Sequence, residues 1–176
     1  MKKLNIGCGR DIKKGYVNLD VTKIEGVDIV HNLNKFPYPF KDNTFGEIYA
    51  SHVIEHIEDF KKIMNELHRI LRTGGKLIVR VPHFSCSAAF YPHHKIFFKH
   101  NSFANICRGW QWQNIEYKQI FSKFQNLRIK FYKGWHLENY PMEFFVNFSE
   151  FTMRFYEDTF LRSLFPAFEI YIELIK

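Results

Sequence analysis

Leu4-Asn5-Ile6-Gly7-Cys8-Gly9 is a short apolar run that stops on two glycines one residue apart. A buried strand ending on Gly-x-Gly is how an open α/β sheet presents a ligand site at the carboxyl end of its first strand. The residues that follow keep to that plan. Tyr16-Val17-Asn18-Leu19-Asp20 alternates with period two, and so does Val27-Asp28-Ile29-Val30. Gly46-Glu47-Ile48-Tyr49-Ala50 follows the turn at Asp42-Asn43-Thr44. Phe60, Ile63, Met64, Leu67, Ile70 and Leu71 then share one helical face. Glu58 and Asp59 sit where the helix dipole favours acids, and Thr73-Gly74-Gly75 is placed to stop the helix. Lys76 to Val81 is the next strand, closed by Pro82. Strands alternating with crossovers predict a mostly parallel sheet with helices on its faces.

The second half reads less regularly. Asn114–Phe124 has a helical pattern, and Leu127–Tyr132 alternates as a strand. Residues 141–163 are helical, with Phe144, Phe148, Phe151 and Phe155 on one stripe. Residues 168–174 alternate and predict a last strand with one wet face. There is no repeat or linker, so 1–176 reads as one domain with a helical insertion at about 139–166.

Composition narrows the classes. With 46% apolar and 24% charged residues among 176, a largely disordered chain is excluded. No apolar run approaches the roughly 18–20 residues of a membrane span. The stretch before Cys8 is too short for a lipoprotein export core, which needs about 7–15 apolar residues. Cys8, Cys86 and Cys107 are widely spaced and form neither a disulfide framework nor a metal knuckle. The expected setting is cytoplasmic. Net charge is +7, and its excess lies at Lys95, Lys99, Arg108, Lys118, Lys123, Arg128, Lys130 and Lys133. Such a cluster could attract phosphates, but it also fits a solvated face.

A dinucleotide fingerprint would need a glycine where Ile12 stands, and an acid about 20 residues on. Asp20 comes too early, and residues 10–16 have room for a turn but not for a phosphate-capping helix. A nicotinamide or flavin is therefore disfavoured. Asp20, at the end of the second strand, is placed to take two ribose hydroxyls on its two oxygens. Asn32 and Leu33, ending the third, could read an adenine edge through an amide and a backbone N–H.

These segments occur in order with Asp42-Asn43-Thr44-Phe45, Ala50-Ser51-His52-Val53-Ile54-Glu55-His56 and Leu71-Arg72-Thr73-Gly74-Gly75-Lys76-Leu77. Together they resemble the class I S-adenosylmethionine-dependent methyltransferases, in a short branch with a truncated first helix. The likeness is clearest over residues 4–82. It continues through Pro92-His93-His94-Lys95-Ile96-Phe97-Phe98 and the segment from Tyr156 to Pro166.

The resemblance implies a Rossmann-like, mostly parallel seven-stranded sheet with an antiparallel last strand, and S-adenosyl-L-methionine as cofactor. Gly7, Cys8 and Gly9 would border its methionine part, Asp20 and Val21 the ribose, Asn32 and Leu33 the adenine, and Ala50, Ser51 and His52 the sulfonium side. The chain departs from the family in lacking a further loop glycine and the acid usual at Asn32. It also starts at the first strand, so one cofactor wall must come from elsewhere.

A sulfonium methyl is already electrophilic, so such a site must mainly align a nucleophile. A hydroxyl acceptor also gains from a general base. The candidates are His94, His52 and His56, in that order, with His83 a further imidazole near the same strand ends. His52-Val53-Ile54-Glu55-His56 matches the inverted zinc motif H-x-x-E-H, but that motif needs a long helix and a third ligand, so no metal is expected. The favoured function is methyl transfer to a small molecule, with a saccharide or envelope-type precursor as the acceptor class it leans to. The alternatives are a nucleic-acid (RNA) methyltransferase and a cofactor-binding interaction protein without transferase activity. The Phe-rich segment is core packing by default, with a lid or a homodimer surface as the other readings.

Overall fold

The computed structural model describes residues 1–103, 106–107, 110–112, 115–117, 119–132 and 138–176. Four short strands come first: β1 Lys3–Ile6, β2 Val17–Asp20, β3 Ile29–Val30 and β4 Phe45–Ser51. A 3₁₀ turn at Ile54–His56 leads to α1, Phe60–Ile70, then to β5, Leu71–Pro82. A small antiparallel hairpin, β6 Trp110–Trp112 and β7 Ile115–Tyr117, precedes β8, Lys123–Lys130. Three helices follow, α2 Asn139–Val146, α3 Glu150–Asp158 and α4 Leu161–Leu164, before β9, Glu169–Ile175.

The large sheet has seven strands in the order β3-β2-β1-β4-β5-β9-β8. The pairs from β3 to β5 are parallel, and β9 runs antiparallel to both neighbours. This is the expected architecture, helical insertion included. Register sets the chemistry of each face. Leu19 pairs Ile6, which pairs Ala50, then Val79, then Ile172, and all five are buried. One residue along, the other face is polar: the Asn5 amide donates to Asn18 Oδ1 at 3.0 Å, and Lys3 pairs Glu47 at 3.1 Å.

α1 forms because Asp59 caps it, accepting the Lys62 N–H at 2.9 Å, and because Ile63, Met64, Leu67 and Ile70 all turn inward. It stops earlier than the glycines suggested. Leu71 already pairs Phe45, so Thr73-Gly74-Gly75 lies within β5.

Two further expectations are corrected. The Asn114–Phe124 helix is not formed: Ile115–Tyr117 is a strand and β8 begins at Lys123, while Asn114 and Lys118 lie outside the described residues. The outer face of β9 is not wet. Glu169 and Glu173 are buried there, because β9 lies inside the sheet and cations from β5 reach over it: Arg80 to Glu169 at 2.8 Å and Lys76 to Glu173 at 3.2 Å.

The insertion has its own small core, in which Val146, Met153 and Tyr156 meet Ile129 and Phe131. The phenylalanine stripe is not part of it. Phe144, Phe148 and Phe151 are 77%, 77% and 75% exposed, so the helices bury a different face from the one the aromatic spacing suggested. No helix among the described residues is long and apolar enough to cross a membrane.

Candidate active site

The strand order reverses between β1 and β4, and a cavity of about 320 Å³ opens over the carboxyl ends there. Its wall takes Gly7 from the end of β1, Asp20 and Val21 from β2, Asn32, Leu33 and Asn34 from β3, and His52, Val53, His56 and Ile57 from β4. Six of the ten residues expected around a cofactor therefore line one space: Gly7, Asp20, Val21, Asn32, Leu33 and His52. Cys8, Gly9, Ala50 and Ser51 do not line it. Cys8 and Ala50 are buried beneath it, and burial pushes the Cys8 thiol pKa up.

Gly9 acts through its backbone. Its N–H donates to Asp20 Oδ2 at 2.8 Å, while the Thr22 N–H donates to Oδ1 at 2.9 Å. Each carboxylate oxygen thus meets one backbone donor and keeps accepting capacity for a second. Gly7 has φ of +57°, and a Cβ there would come within 2.2 Å of Val53 Cγ2. The chain after β4 folds directly onto this glycine, which is why Val53 lines the cavity. The sequence signal for that contact was the glycine, not the valine. Asn32 is exposed, and its Oδ1 accepts the Asn34 N–H at 2.9 Å, a local turn that sets the floor of the β3 end.

The histidines separate by environment. His52 has φ of +52°, a left-handed conformation unusual for a non-glycine residue. Its Nε2 lies 3.1 Å from Glu169 Oε2 and its Nδ1 lies 3.6 Å from Glu55 Oε1. The Glu169 hydrogen bond and the Glu55 carboxylate raise its pKa to about 9. At neutral pH His52 is an imidazolium, which can donate a proton but has no lone pair to accept one. His83 is fully buried. Its Nδ1 accepts the Ser85 N–H at 3.2 Å and its Nε2 donates to Glu157 at 3.0 Å, so both nitrogens serve the packing of α3.

His56 lines the cavity, and burial lowers its pKa. His94 lies behind it, the two ring centroids 4.7 Å apart. The His52–His56 segment is a strand end followed by a 3₁₀ turn, so it does not form the helical zinc motif. His56 instead meets His93 and His94, a grouping that no spacing in the sequence announced.

Residues 4–79 match the family model described as a methyltransferase domain. An uncharacterised protein of Methanocaldococcus jannaschii is 33% identical over 89 residues, covering 44% of this chain and 39% of that protein. The sterol 4-C-methyltransferase of Caenorhabditis elegans is 44% identical over 102 residues, covering 43% of this chain and 29% of its own length. The chain thus spans under two fifths of these curated relatives. A solved SAM-dependent methyltransferase from Archaeoglobus fulgidus superposes over 99% of this chain and 86% of its own, with a TM-score of 0.62 at 13% identity. Strand order and the matched stretch agree: residues 4–79 are similar to the methyltransferase domain family, and the chain has the fold of the solved SAM-dependent methyltransferase.

Proposed function

We propose that the protein binds S-adenosyl-L-methionine in the cavity over Gly7 and Asp20 and transfers its methyl group to a small-molecule acceptor. The observation that carries this reading is Asp20. It is a strand-end carboxylate fixed by two backbone donors, beside an apolar wall of Leu33, Val53 and Ile57. That donor set suits a nucleoside, with the ribose hydroxyls on Asp20 and the base against the apolar wall. The cofactor, when bound, supplies an electrophilic methyl group.

The protein's own task is to hold the two reactants in line, which can lower a barrier by roughly 7–11 kcal/mol. His52, kept charged between Glu169 and Glu55, supplies positive charge at the cavity and is not suited to deprotonating an acceptor. His56, which lines the cavity with His94 packed against it, is the imidazole suited to engaging that acceptor. The sterol and phosphoethanolamine methyltransferases of Caenorhabditis elegans among the relatives are named for small acceptors, which supports that substrate class. The basic residues give less support to RNA. Arg128 reaches the Asn147 carbonyl at 3.5 Å and Lys130 lies 3.6 Å from Glu143, so both point at the insertion. Arg108, Lys118 and Lys133 lie outside the described residues.

Calorimetry with S-adenosylhomocysteine and with NAD tests the reading. One site for the former and none for the latter is expected, because residues 10–16 form no phosphate-capping helix. Tighter binding of NAD overturns it. Binding without turnover on any of a panel of saccharide, sterol and amino-alcohol acceptors would favour the interaction-protein alternative.

A further inference from the structure

His56, His93 and His94 come together from two separate segments. One ring nitrogen from each lies within 4.8 Å of the others. The His56 and His93 rings stack with centroids 5.0 Å apart, and His94 stands edge-on to both, at 4.7 and 5.1 Å. Backbone hydrogen bonds pin the segments to each other: the N–H groups of Lys95 and Ile96 donate to the Glu55 carbonyl at 2.7 and 3.3 Å.

The outer nitrogens are also arranged. His94 Nδ1 lies 3.2 Å from the Ala89 carbonyl, and His56 Nδ1 lies 3.4 Å from the His93 carbonyl. Donating there places the protons on Nδ1 and leaves each Nε2 a lone pair. Metal-binding histidines commonly have their orientation and tautomer fixed in this way.

A second observation points to a cation. Glu55 is 1% exposed, and neither of its carboxylate oxygens makes a hydrogen bond. Among the described residues its ionic partner is His52 Nδ1 at 3.6 Å, and the same buried acid acts electrostatically on the adjoining His56.

We propose that His56, His93 and His94 form a site for one zinc-class divalent transition-metal ion. Metal–imidazole distances of about 2.0–2.1 Å require nitrogens closer together than 4.8 Å. His93 is exposed, so its ring can turn toward the other two. Three imidazoles with an open fourth position are the ligand set of a catalytic rather than a structural zinc. Because His56 also lines the cavity, the open position would take an oxygen of the acceptor. That role rests on the methyltransferase reading, whereas the binding of the ion does not.

The test uses untagged protein, stripped with a chelator and titrated with Co²⁺ and then Zn²⁺. The expected result is one ion per chain, visible cobalt ligand-field bands, and displacement of cobalt by zinc. His93→Ala and His94→Ala should each weaken binding by at least about tenfold, since even outer-shell losses cost about 10–100-fold. Absence of the bands, or unchanged affinity in the His93→Ala/His94→Ala double variant, overturns the site. S-adenosylhomocysteine calorimetry on the same proteins separates the two readings. Lost metal with retained nucleoside binding supports the site. Metal bound by a chain that ignores the nucleoside leaves the site standing and removes the methyltransferase reading.

Discussion

At the scale of single residues, Asp20 and His52 carry opposite charges at one cavity, and each is held by a different device. Backbone donors from Gly9 and Thr22 aim Asp20 before any ligand arrives. Asp20→Ala should therefore weaken S-adenosylhomocysteine binding by about 1–3 kcal/mol, the scale of charge-assisted hydrogen bonds, and calorimetry would measure it. Unchanged affinity would rule out the ribose assignment. His52 depends on carboxylates instead. Its pKa is raised from 6.5 to about 9, so the stability it contributes is complete below pH 6.5 and is lost as pH rises through about 9. An NMR titration should place its midpoint near 9, and Glu169→Gln should bring it back toward 6.5. A midpoint already at 6.5 in the parent protein would contradict the imidazolium assignment.

At the scale of elements, a buried acid of α3 ties the helix to the chain that follows β5. Glu157 is 1% exposed and accepts from His83 at 3.0 Å, from the His100 backbone at 2.7 Å and from the His100 ring at 2.7 Å. Burial alone would raise its pKa, but these donors outweigh burial and bring it down to about 2. Its contribution is present above pH 4.5 and lost as pH falls toward 2. Glu157→Gln should cost on the order of 1–3 kcal/mol in denaturant melts at pH 7, with the gap to the parent narrowing below pH 4.5. A constant gap from pH 7 to 3 would contradict this.

α3 also shows what a sequence withholds. The Phe spacing in 141–163 correctly indicated helix, because period alone marks a helix. It pointed to the wrong buried face, because the partners of Tyr156 and Met153 come from β8 and its C-terminal flank, at Ile129 and Phe131, far away in sequence. The first eighty residues were legible for the converse reason. There each strand and the cavity-lining residues at its end are adjacent in sequence, so the meeting of Gly7, Asp20, Asn32 and His52 at one cavity was legible. Glu169 as the partner of His52 is 117 residues away and left no local trace.

Across the whole molecule, part of the +7 charge lies beside acids of the insertion. Lys99 lies 3.9 Å from Asp158 and Lys130 lies 3.6 Å from Glu143, both acids of the insertion. Filter binding across a salt series should show weak, sequence-independent RNA binding that vanishes near physiological salt, where each neutralised phosphate adds roughly 0.7 to the slope. Sub-micromolar, sequence-dependent binding at that salt would move the protein to the RNA class.

The sheet order has one more consequence, in the timing of synthesis. β8 leaves the ribosome before β9, yet in the finished sheet β9 lies between β5 and β8. Until β9 arrives, β5 has an open edge, β8 has no partner in the sheet, and Arg80 and His52 lack the carboxylate they share. All ten residues that line the cavity fall within the first 57, but one of the two carboxylates that raise the pKa of its histidine is residue 169. A nascent chain halted within the insertion would hold the cavity in outline, with His52 facing Glu55 but not yet Glu169. The surroundings of His52 are complete only once β9 has taken its place between β5 and β8.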